Sequence, residues 1–580
     1  MSGICLAMLV VSIFGRAEQQ SRESFVKETN VKVAMSDSVM LATDVYRPSE
    51  GKKFGTILIR TPYSKEQGLV KTFAEFFAGD GYAVVIQDCR GKFASEGEFL
   101  PFVSERKDGL QTLEWIIQQP WSNREVAAWG PSYLGYCGIV LAVTKHPALK
   151  TMVNISGLAD VQTLVFPGGA LHLMVGLPQS VFMAKGGQAV LRKINWPEFF
   201  KFLPLNNALR SIAFTDTVWK LFADPELFGE HSTELALADQ LSNIQIPILH
   251  ITGWNDFTYR GTLQTYVAAD RALKSQRKRG LQKLVVGPWH HDQQWSGKTK
   301  VGEEEFGPQA QMDIEKMKRI SLRWFDCFLK GIDNGVAREP AADIFVMGRN
   351  DWIKVEEWPT KGIEYQSWYL ASVNGAATLS GDGRLSLQRP AKREFDVFTF
   401  DPLNPVPTRG GVNSHFFDDY LGIKDQRAVE ARTDVLVYSS EPLKKDTEVL
   451  GPLKVVLYAS SEGRDTDFTA KLVEVRPDGY ARIVEDGIVR ARYRNSSKRS
   501  EWMEPGKIYK FEIDLGSTAL LVRKGSRLRL EISSSNFPKY DRNPNTGESP
   551  FDAVELKKVN QKIYHTEQYP SHLLMPVRVR

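Results

Sequence analysis

The sequence predicts an α/β domain with a mostly parallel sheet, an inserted helical segment and a C-terminal all-β domain. Apolar strand-like runs alternate with helix-like stretches over 24–160 and again over 241–355. Residues 161–240 contain helix-like pieces rich in Phe, Leu and Trp, without a clear strand. From about residue 360 to 580, β-rich stretches alternate with Gly, Pro, Asp and Asn turns, which is typical of a jelly roll.

The elements of the first alternating region follow one another with short connections. In order, we expect strands within 31–48, a strand at 54–60, a helix at 72–79, a strand at 82–86, a helix from Asp108 and a strand at 126–129. In the helix that begins at Asp108, Leu110, Leu113 and Ile117 share one face. Short connections of this kind predict parallel strands with helices on both faces of the sheet.

The alternation resumes after the helical segment. We expect strands at 246–252 and 283–286, a helix over 260–274 between them, and a final helix over 312–330. The predicted domains are therefore a catalytic α/β domain at 24–160 and 241–355, a helical cap at 161–240, and a jelly roll at 360–580.

The N-terminal residues 1–17 resemble a signal peptide. The apolar stretch from Ile4 to Phe14 is too short to span a bilayer, and the small residues Gly15 and Ala17 suit cleavage before Glu18. This predicts export to the periplasm or the medium, whereas a mis-assigned start would leave the protein in the cytoplasm. No other segment is long and apolar enough to predict a membrane span.

Charge and cysteine content exclude several classes of protein. The 74 basic and 69 acidic residues nearly balance, and no dense Lys/Arg run is present, so nucleic acid is not expected as a partner. Once Cys5 leaves with the signal, Cys89, Cys137 and Cys327 remain, without metal-like spacing. The chain is therefore not a disulfide scaffold, although the sequence leaves open whether two of these three cysteines form one bridge.

Ser132 lies at a junction between a strand and a helix, in Gly130-Pro131-Ser132-Tyr133-Leu134-Gly135. Small residues around a serine at such a junction permit the strained turn that exposes a nucleophilic hydroxyl. The usual GxSxG spacing is not kept, because Leu134 stands where the last glycine belongs. A serine that caps a helix would give a similar pattern, so this stretch requires support from elsewhere.

That support comes from two later strand ends. Asp256 follows the strand at 246–252, and His291 follows the strand at 283–286, which gives the chain order Ser, Asp, His of an α/β-hydrolase. Alone, Asp256 could be a turn residue, and either histidine could be an ordinary loop residue. The adjacent pair His290-His291 does not predict a metal site, because neighbours in sequence rarely bind the same ion.

Three motifs carry a resemblance to a known family. The stretches at 130–135, 253–256 (Gly-Trp-Asn-Asp) and 287–291 (Gly-Pro-Trp-His-His) resemble the triad motifs of the cocaine esterase and X-Pro dipeptidyl-peptidase superfamily of α/β-hydrolases. This superfamily includes glutaryl-cephalosporin acylases and α-amino acid ester hydrolases. Further matching stretches lie at 60–63, 88–91, 95–97, 425–427, 436–439 and 535–538. The resemblance therefore covers nearly all of residues 30–575.

The resemblance implies a role for five residues. Ser132 would be the nucleophile, His291 rather than His290 its base, and Asp256 the residue that orients the base. The Tyr63 hydroxyl and the backbone N–H of Tyr133 would form the oxyanion hole.

Two expectations concern neighbouring stretches. Asp88 and Arg90 are expected to form a structural ion pair near the site. The residues after Asp256, at 257–260, include no carboxylate for a substrate ammonium, which disfavours the α-amino acid ester hydrolase subgroup.

The sequence thus predicts a serine hydrolase that cleaves a small-molecule ester or amide through an acyl-enzyme, without a cofactor or metal. A carboxylesterase of the cocaine-esterase type is the first choice. An X-Pro dipeptidyl peptidase or a cephalosporin-type acylase is the alternative, and a non-catalytic carbohydrate-binding protein that uses the jelly roll is a third possibility. The acyl group, the leaving group and the oligomeric state stay open.

Overall fold

The computed structural model describes residues 25–212, 214, 217–223, 229–276, 280–390, 394–497 and 499–579. The expected signal peptide at 1–17 lies outside the described residues. The chain divides into two compact units. The first consists of the described residues up to Gly157, Ser242–Leu249 and Lys318–Arg338, and the second of Leu158–Leu241, His250–Met317 and the described residues from Glu339.

The first unit contains the predicted alternation of strands and helices. Its strands are β1 (Phe25–Ala34), β2 (Met40–Pro48), β3 (Phe54–Thr61), β4 (Ala83–Asp88), β5 (Ser122–Pro131) and β6 (Leu149–Ile155). Its helices are α1 (Gly68–Gly79), α2 (Glu105–Gln118) and α3 (Tyr133–Ala142). The strand order is β1-β2-β4-β3-β5-β6, with β3 parallel to β4 and β5, and β5 parallel to β6. The parallel sheet expected from the short connections is therefore confirmed.

Aromatic packing holds the helix α1 against the strand that leads to Ser132. The ring of Phe73 lies 4.3 Å from that of Trp129 on β5, and Trp129 donates its indole N–H to Ser321 Oγ at 3.2 Å. These side chains are buried, and their packing fixes the orientation of β5 and therefore the position of Ser132 directly after it.

Seven short helices follow in the second unit, and no strand lies between them in the described part of this segment. They are α4 (Val161–Val165), α5 (Leu173–Met183), α6 (Gly187–Leu191), α7 (Trp196–Phe199), α8 (Ala208–Ser211), α9 (Thr217–Ala223) and α10 (Ser232–Leu235). The N-terminal end of α5 is tied to a later loop, because Leu171 N–H donates to Asp541 Oδ1 at 2.9 Å. Helical structure in this segment agrees with the sequence, whereas the exact boundaries of the cap stay a prediction.

The α/β alternation continues in the second unit. Its elements are β7 (Ile248–Gly253, which begins in the first unit), α11 (Tyr259–Ser275), β8 (Gln282–Gly287), β9 (Lys300–Val301), β10 (Glu304–Glu305), α12 (Ile314–Phe328, which ends in the first unit), β11 (Ala342–Val346) and β12 (Asp351–Val355). The strand order is β7-β8-β11-β12, and β9 and β10 form a separate pair. Asp256 and His291 therefore follow β7 and β8, as expected from the sequence.

The C-terminal region is the predicted all-β domain. Its strands are β13 (Ile363–Ala371), β14 (Arg384–Ser386), β15 (Phe395–Phe400), β16 (Leu436–Ser439), β17 (Thr447–Ser461), β18 (Asp467–Val475), β19 (Ala481–Arg490), β20 (Tyr509–Val522), β21 (Arg527–Ser533), β22 (Val559–Tyr564) and β23 (His572–Arg578). The order is β15-β22-β17-β23-β13-β14-β16-β21-β18-β19, and β20 pairs with β17. A short helix, α13 (Arg427–Glu430), precedes β16.

Short 3₁₀ helices complete the fold, at Pro167–Gly169, Leu205–Asn207, Ala238–Asn243, His291–Gln294, Pro308–Ala310, Val336–Arg338, Asp418–Tyr420 and Ala491–Tyr493. Among the residues described, no helix combines the length and apolar character that crossing a membrane requires.

Candidate active site

Ser132 occupies a strained turn between β5 and α3. Its φ is +55° and its ψ is −123°, a backbone conformation that non-glycine residues rarely adopt. Its backbone N–H donates to Ile155 O at 2.8 Å, which ties the turn to the end of β6. Its side chain makes no capping hydrogen bond, so the interpretation of Ser132 as an ordinary helix cap is disfavoured.

Two glycines allow this turn to pack. A Cβ atom on Gly130 would lie 2.3 Å from Leu134 Cβ, and one on Gly135 would lie 2.5 Å from Asn154 Oδ1. Both distances are too short for any side chain. The first turn of α3 therefore approaches β5 and the end of β6 at backbone distance, and the sequence keeps glycine at those two positions rather than at 134.

The two candidate oxyanion donors lie side by side in the first unit. The rings of Tyr63 and Tyr133 are 6.3 Å apart in an edge-to-face arrangement. Tyr133 is buried, and its hydroxyl both donates to Glu105 Oε1 at 2.9 Å and accepts from the N–H of Phe102 at 2.7 Å. The side chain that follows Ser132 is therefore anchored at its far end.

Glu105, which the sequence analysis missed, joins the segments that carry these two tyrosines. Its Oε2 accepts from Arg60 Nη1 at 2.6 Å, and both side chains are almost completely buried. Arg60 lies three residues before Tyr63, and Glu105 also binds the Tyr133 hydroxyl. One carboxylate thus links β3 to α3. The only sequence signal was an acidic residue in the first turn of a helix, which is too common to single out.

Two thiols lie beside this carboxylate. Cys89 Sγ, Cys137 Sγ and a Glu105 oxygen are all within 4.8 Å of one another. Burial raises the pKa of both thiols, and Glu105 is already paired with Arg60. Cys89, Cys137 and Cys327 are all free cysteines.

The expected ion pair between Asp88 and Arg90 is wrong. Arg90 binds Asp108 instead, with Nε at 2.9 Å and Nη2 at 2.6 Å from the carboxylate oxygens. Asp88 accepts from the backbone N–H of Lys65 at 2.7 Å, and burial raises its pKa to about 6. The two residues are close in sequence, which suggested the pair, but their side chains bind different partners.

In the second unit, the structure brings Asp256 and His291 together. His291 Nδ1 lies 3.0 Å from Asp256 Oδ1 and 3.1 Å from Oδ2. Burial alone would lower the pKa of His291, but the adjacent Asp256 carboxylate raises it above its ordinary value. This contact occupies Nδ1, so Nε2 is the ring nitrogen left for proton transfer.

Three further hydrogen bonds hold the Asp256 carboxylate, which is completely buried. Thr258 donates to Oδ1 through its backbone N–H and its hydroxyl, each at 2.9 Å, and Gln294 Nε2 donates to Oδ2 at 2.7 Å. Neither residue was predicted from the sequence. Together they fix the carboxylate in the orientation that faces His291.

His290 has a different environment from His291. Its backbone N–H donates to Gln293 Oε1 at 3.2 Å, and burial lowers the pKa of its side chain. The carboxylate of Asp256 thus pairs with the second histidine of the motif and not with the first.

A second histidine, which the sequence gave no reason to select, packs on His291. The ring of His415 stacks on it at 5.2 Å with an interplanar angle of 22°, and the ring of Phe257 lies 4.7 Å away. Burial and the nearby His291 lower the pKa of His415 to about 4, so its ring is neutral at pH 7. His415 belongs to a loop far along the chain, and no motif marks it.

The structure therefore assembles two groups, each within its own unit. Ser132 with Tyr63 and Tyr133 belongs to the first unit, and Asp256 with His291 belongs to the second.

Comparison with protein families gives two matches that together span most of the chain. The X-Pro dipeptidyl-peptidase (S15 family) matches residues 37–293. The X-Pro dipeptidyl-peptidase C-terminal non-catalytic domain matches residues 334–574.

Similarity to individual proteins indicates the same family. The chain is 34% identical over 574 residues to the cocaine esterase of Rhodococcus sp. (strain MB1 Bresler), covering 95% of this chain and 98% of that protein. Among solved structures, an aminopeptidase from a marine sediment Thaumarchaeota archaeon has a TM-score of 0.75 at 24% identity, covering 96% of this chain and 97% of the other. An α-amino acid ester hydrolase has a TM-score of 0.72 at 24% identity, with both chains covered completely. These two structures confirm the predicted fold.

Proposed function

The chain belongs to the X-Pro dipeptidyl-peptidase (S15) family and is a serine ester hydrolase of the α/β-hydrolase class, and on this premise we propose that Ser132, His291 and Asp256 are its catalytic triad. The observation that carries the proposal is the buried contact between His291 Nδ1 and the Asp256 carboxylate. The strained turn at Ser132 supports it, because strain of this kind is typical of an activated nucleophile.

In the proposed first step, Ser132 Oγ attacks the carbonyl carbon of the ester. His291 Nε2 takes the proton from the hydroxyl and then gives it to the leaving alcohol. Asp256 holds the ring in the required tautomer and stabilises the imidazolium that forms. The raised pKa of His291 agrees with this role, because it reflects the stabilisation of the charged ring by the carboxylate.

The negative charge that develops on the carbonyl oxygen requires donors that are already in position. We assign this role to the Tyr63 hydroxyl and to the backbone N–H of Tyr133. The hydrogen bonds that anchor the Tyr133 side chain to Glu105 and Phe102 support the assignment, since they restrict the peptide that follows Ser132. Water, activated by His291, then hydrolyses the acyl-enzyme.

A carboxylesterase is preferred to a dipeptidyl peptidase. A dipeptidyl peptidase must bind the free amine of its substrate, and carboxylates are the side chains that do so. The residues that directly follow Asp256 are Phe257, Thr258, Tyr259 and Arg260, which offer a cation and no carboxylate. The relative with 34% identity is named a cocaine esterase, which agrees with this preference.

The experiment that tests the proposal is the hydrolysis of a panel of 4-nitrophenyl esters by the Ser132→Ala variant. Turnover should fall by a factor on the order of 10⁴ to 10⁶, as for the loss of one member of a triad. The exposed Ser275 at the end of α11 provides a matched control, and Ser275→Ala should retain full activity. Near-normal hydrolysis by a folded Ser132→Ala protein would refute the assignment. A parallel assay with an Xaa-Pro 4-nitroanilide shows whether amides are cleaved as well.

A further inference from the structure

In the second unit, the ring of His415 covers one face of the His291 ring. The two rings are nearly parallel, with an angle of 22° between their planes and 5.2 Å between their centres. The rings of Phe257 and Trp295 also contact His291, but at angles of 46° and 77°. Among the residues that the structure describes, His415 therefore makes the one nearly parallel stack on His291.

This stack complements the contact between His291 and Asp256. The carboxylate binds the edge of the ring at Nδ1, at 3.0 Å, and this contact alone would allow the ring to tilt about it. A parallel ring on the face of His291 opposes the tilt and occupies neither ring nitrogen. The plane of the His291 ring is thus fixed, while Nε2 stays available for the proton of the nucleophile.

The loop that carries His415 is held at its base and near its tip. At the base, Gly411 and Gly422 exchange two backbone hydrogen bonds, of 2.7 and 2.9 Å. Near the tip, the ring of Phe416 lies 4.4 Å from that of His415 and packs on Phe182 of α5 at 5.4 Å. These contacts place the His415 ring against His291 before any substrate binds.

The surroundings of His415 keep its ring uncharged. Burial and the nearby His291 lower its pKa to about 4, and Nδ1 is buried without a hydrogen-bond partner in the described part of the chain. The other titratable groups that act on the ring are Asp292 and Asp256, which raise its pKa, and His290, which lowers it. The lowering effects dominate, so the ring is neutral at pH 7.

An uncharged aromatic ring in this position favours the charged form of the base. The face of such a ring carries the negative part of its quadrupole, so it attracts a cation within about 6 Å of the ring centre. In the proposed mechanism, His291 becomes positively charged when it takes the proton of Ser132. The neutral His415 ring would stabilise that charge together with Asp256, whereas a charged ring would repel it.

We propose that His415 is a positioning residue for the base: its uncharged ring fixes the plane of the His291 ring and stabilises the imidazolium that forms during the reaction. The C-terminal domain would then take part in the reaction although it supplies no member of the triad. The inference rests on the proposed function, because it assumes that His291 is the base.

The test compares His415→Phe, which retains an aromatic ring, with His415→Leu, which fills a similar space without one. The measurement is the pH profile of kcat/KM for 4-nitrophenyl acetate. Without the ring the imidazolium of His291 is less stable, so the midpoint of the acid limb should move down by about 0.5 to 1 pH unit in His415→Leu. In that variant kcat at pH 8 should fall about three- to tenfold, with little change in KM. His415→Phe should keep the wild-type midpoint.

A second readout separates an effect on the base from an effect on substrate binding. Inactivation by a fluorophosphonate also requires the uncharged form of His291, so its pH midpoint should shift by the same amount in His415→Leu. His415→Met is a second variant without a ring, for use if the leucine variant does not fold. His231→Leu, which changes a histidine directly before α10, is the matched control and should keep both midpoints. Melting curves establish that each variant is folded.

The possible outcomes separate this inference from the proposed function. Equal midpoints in the wild type and in a folded variant without the ring would overturn the inference alone. A shift in His415→Phe as large as that in His415→Leu would also overturn it, because the stacked ring would not be the cause, and so would a shift seen with the ester but not with the fluorophosphonate. Turnover that persists in His291→Ala would overturn the proposed function and this inference with it.

Discussion

At the scale of single residues, each of a few side chains has one proposed chemical task. His291 has its Nδ1 on Asp256 and its Nε2 available, whereas His290 has no hydrogen bond to that carboxylate in the described structure. Tyr63 lies against Tyr133, two residues after the end of β3. Because the proposed roles differ, each substitution should have a different effect on the kinetics.

The two histidines should give opposite results when each is replaced by alanine. His291→Ala should be as inactive as Ser132→Ala, because it removes the only proposed base. His290→Ala should keep substantial activity, since its ring does not bind Asp256. Steady-state kinetics with one ester measures both. An inactive His290→Ala together with an active His291→Ala would show that the base is assigned to the wrong histidine.

The pH dependence follows from the raised pKa of His291. Only the neutral ring can accept the proton of Ser132, so kcat/KM should fall as the pH drops through the pKa of His291. Because Asp256 raises this pKa above its ordinary value, the midpoint of the acid limb should lie above about 6.5. A pH profile of kcat/KM from 5 to 9 provides the measurement. A midpoint well below that value would contradict the proposed interaction.

Tyr63→Phe tests the oxyanion hole, because it keeps the ring and removes only the hydroxyl. Loss of one such donor should reduce kcat by about 10² to 10³. KM should change much less, since the hydrogen bond strengthens as charge develops on the oxygen. If the melting curves agree but kcat stays within about threefold of the wild type, Tyr63 is a packing residue.

At the scale of elements, a buried charge network joins β3, α2 and α3 below the Ser132 turn. Glu105, the first residue of α2, binds both Arg60 on β3 and the hydroxyl of Tyr133 on α3. A carboxylate that is shared in this way fixes the relative positions of two segments that bear candidate oxyanion donors. The network therefore connects the stability of the first unit to its proposed chemistry.

Glu105→Gln should destabilise the protein, because it removes the nearer of the two carboxylates that balance the buried Arg60 charge and leaves only Asp108, at 3.9 Å. Breaking one half of a buried ion pair costs about 3–5 kcal/mol. The free energy of unfolding from urea titration gives this value. Glu114→Gln, on the exposed face of the same helix, is the control and should change stability little. A Glu105→Gln protein as stable as the control would show that the network does not hold the turn.

At the scale of the whole molecule, local patterns predicted the elements well. Continuous apolar runs predicted β4 and β8, both of which are fully buried. The helix expected at 72–79 begins four residues earlier, at Gly68, because no strong N-terminal signal marks its start. The local sequence therefore predicts that an element is present and which of its faces is buried, but it gives the first residue of the element only approximately.

The sequence could not predict contacts between residues that lie far apart in the chain. Glu105 and His415 have no motif around them, and each becomes relevant only through the partners that other elements bring to it. The same limit explains the error at Arg90, whose partner is Asp108 rather than the nearby Asp88. Family motifs predicted roles for Ser132, Asp256 and His291, but they did not indicate the groups that bind these residues.

The N-terminal residues give a further prediction for the intact protein. If residues 1–17 are an export signal, the mature protein recovered from the periplasm or medium should begin at Glu18. N-terminal sequencing of the protein expressed from its full-length gene measures this directly. A mature chain that retains Met1 in the cytoplasmic fraction would contradict it.

The most direct test of the central claim is to label the wild-type enzyme with a fluorophosphonate and to identify the modified peptide by mass spectrometry. This reagent reacts with a serine only where a base activates the hydroxyl. We expect a single adduct on Ser132 in the wild type, and a strong loss of labelling in His291→Ala, whose Ser132 lacks its base. Labelling of a different serine, or equal labelling of Ser132 in His291→Ala, would contradict the proposed triad.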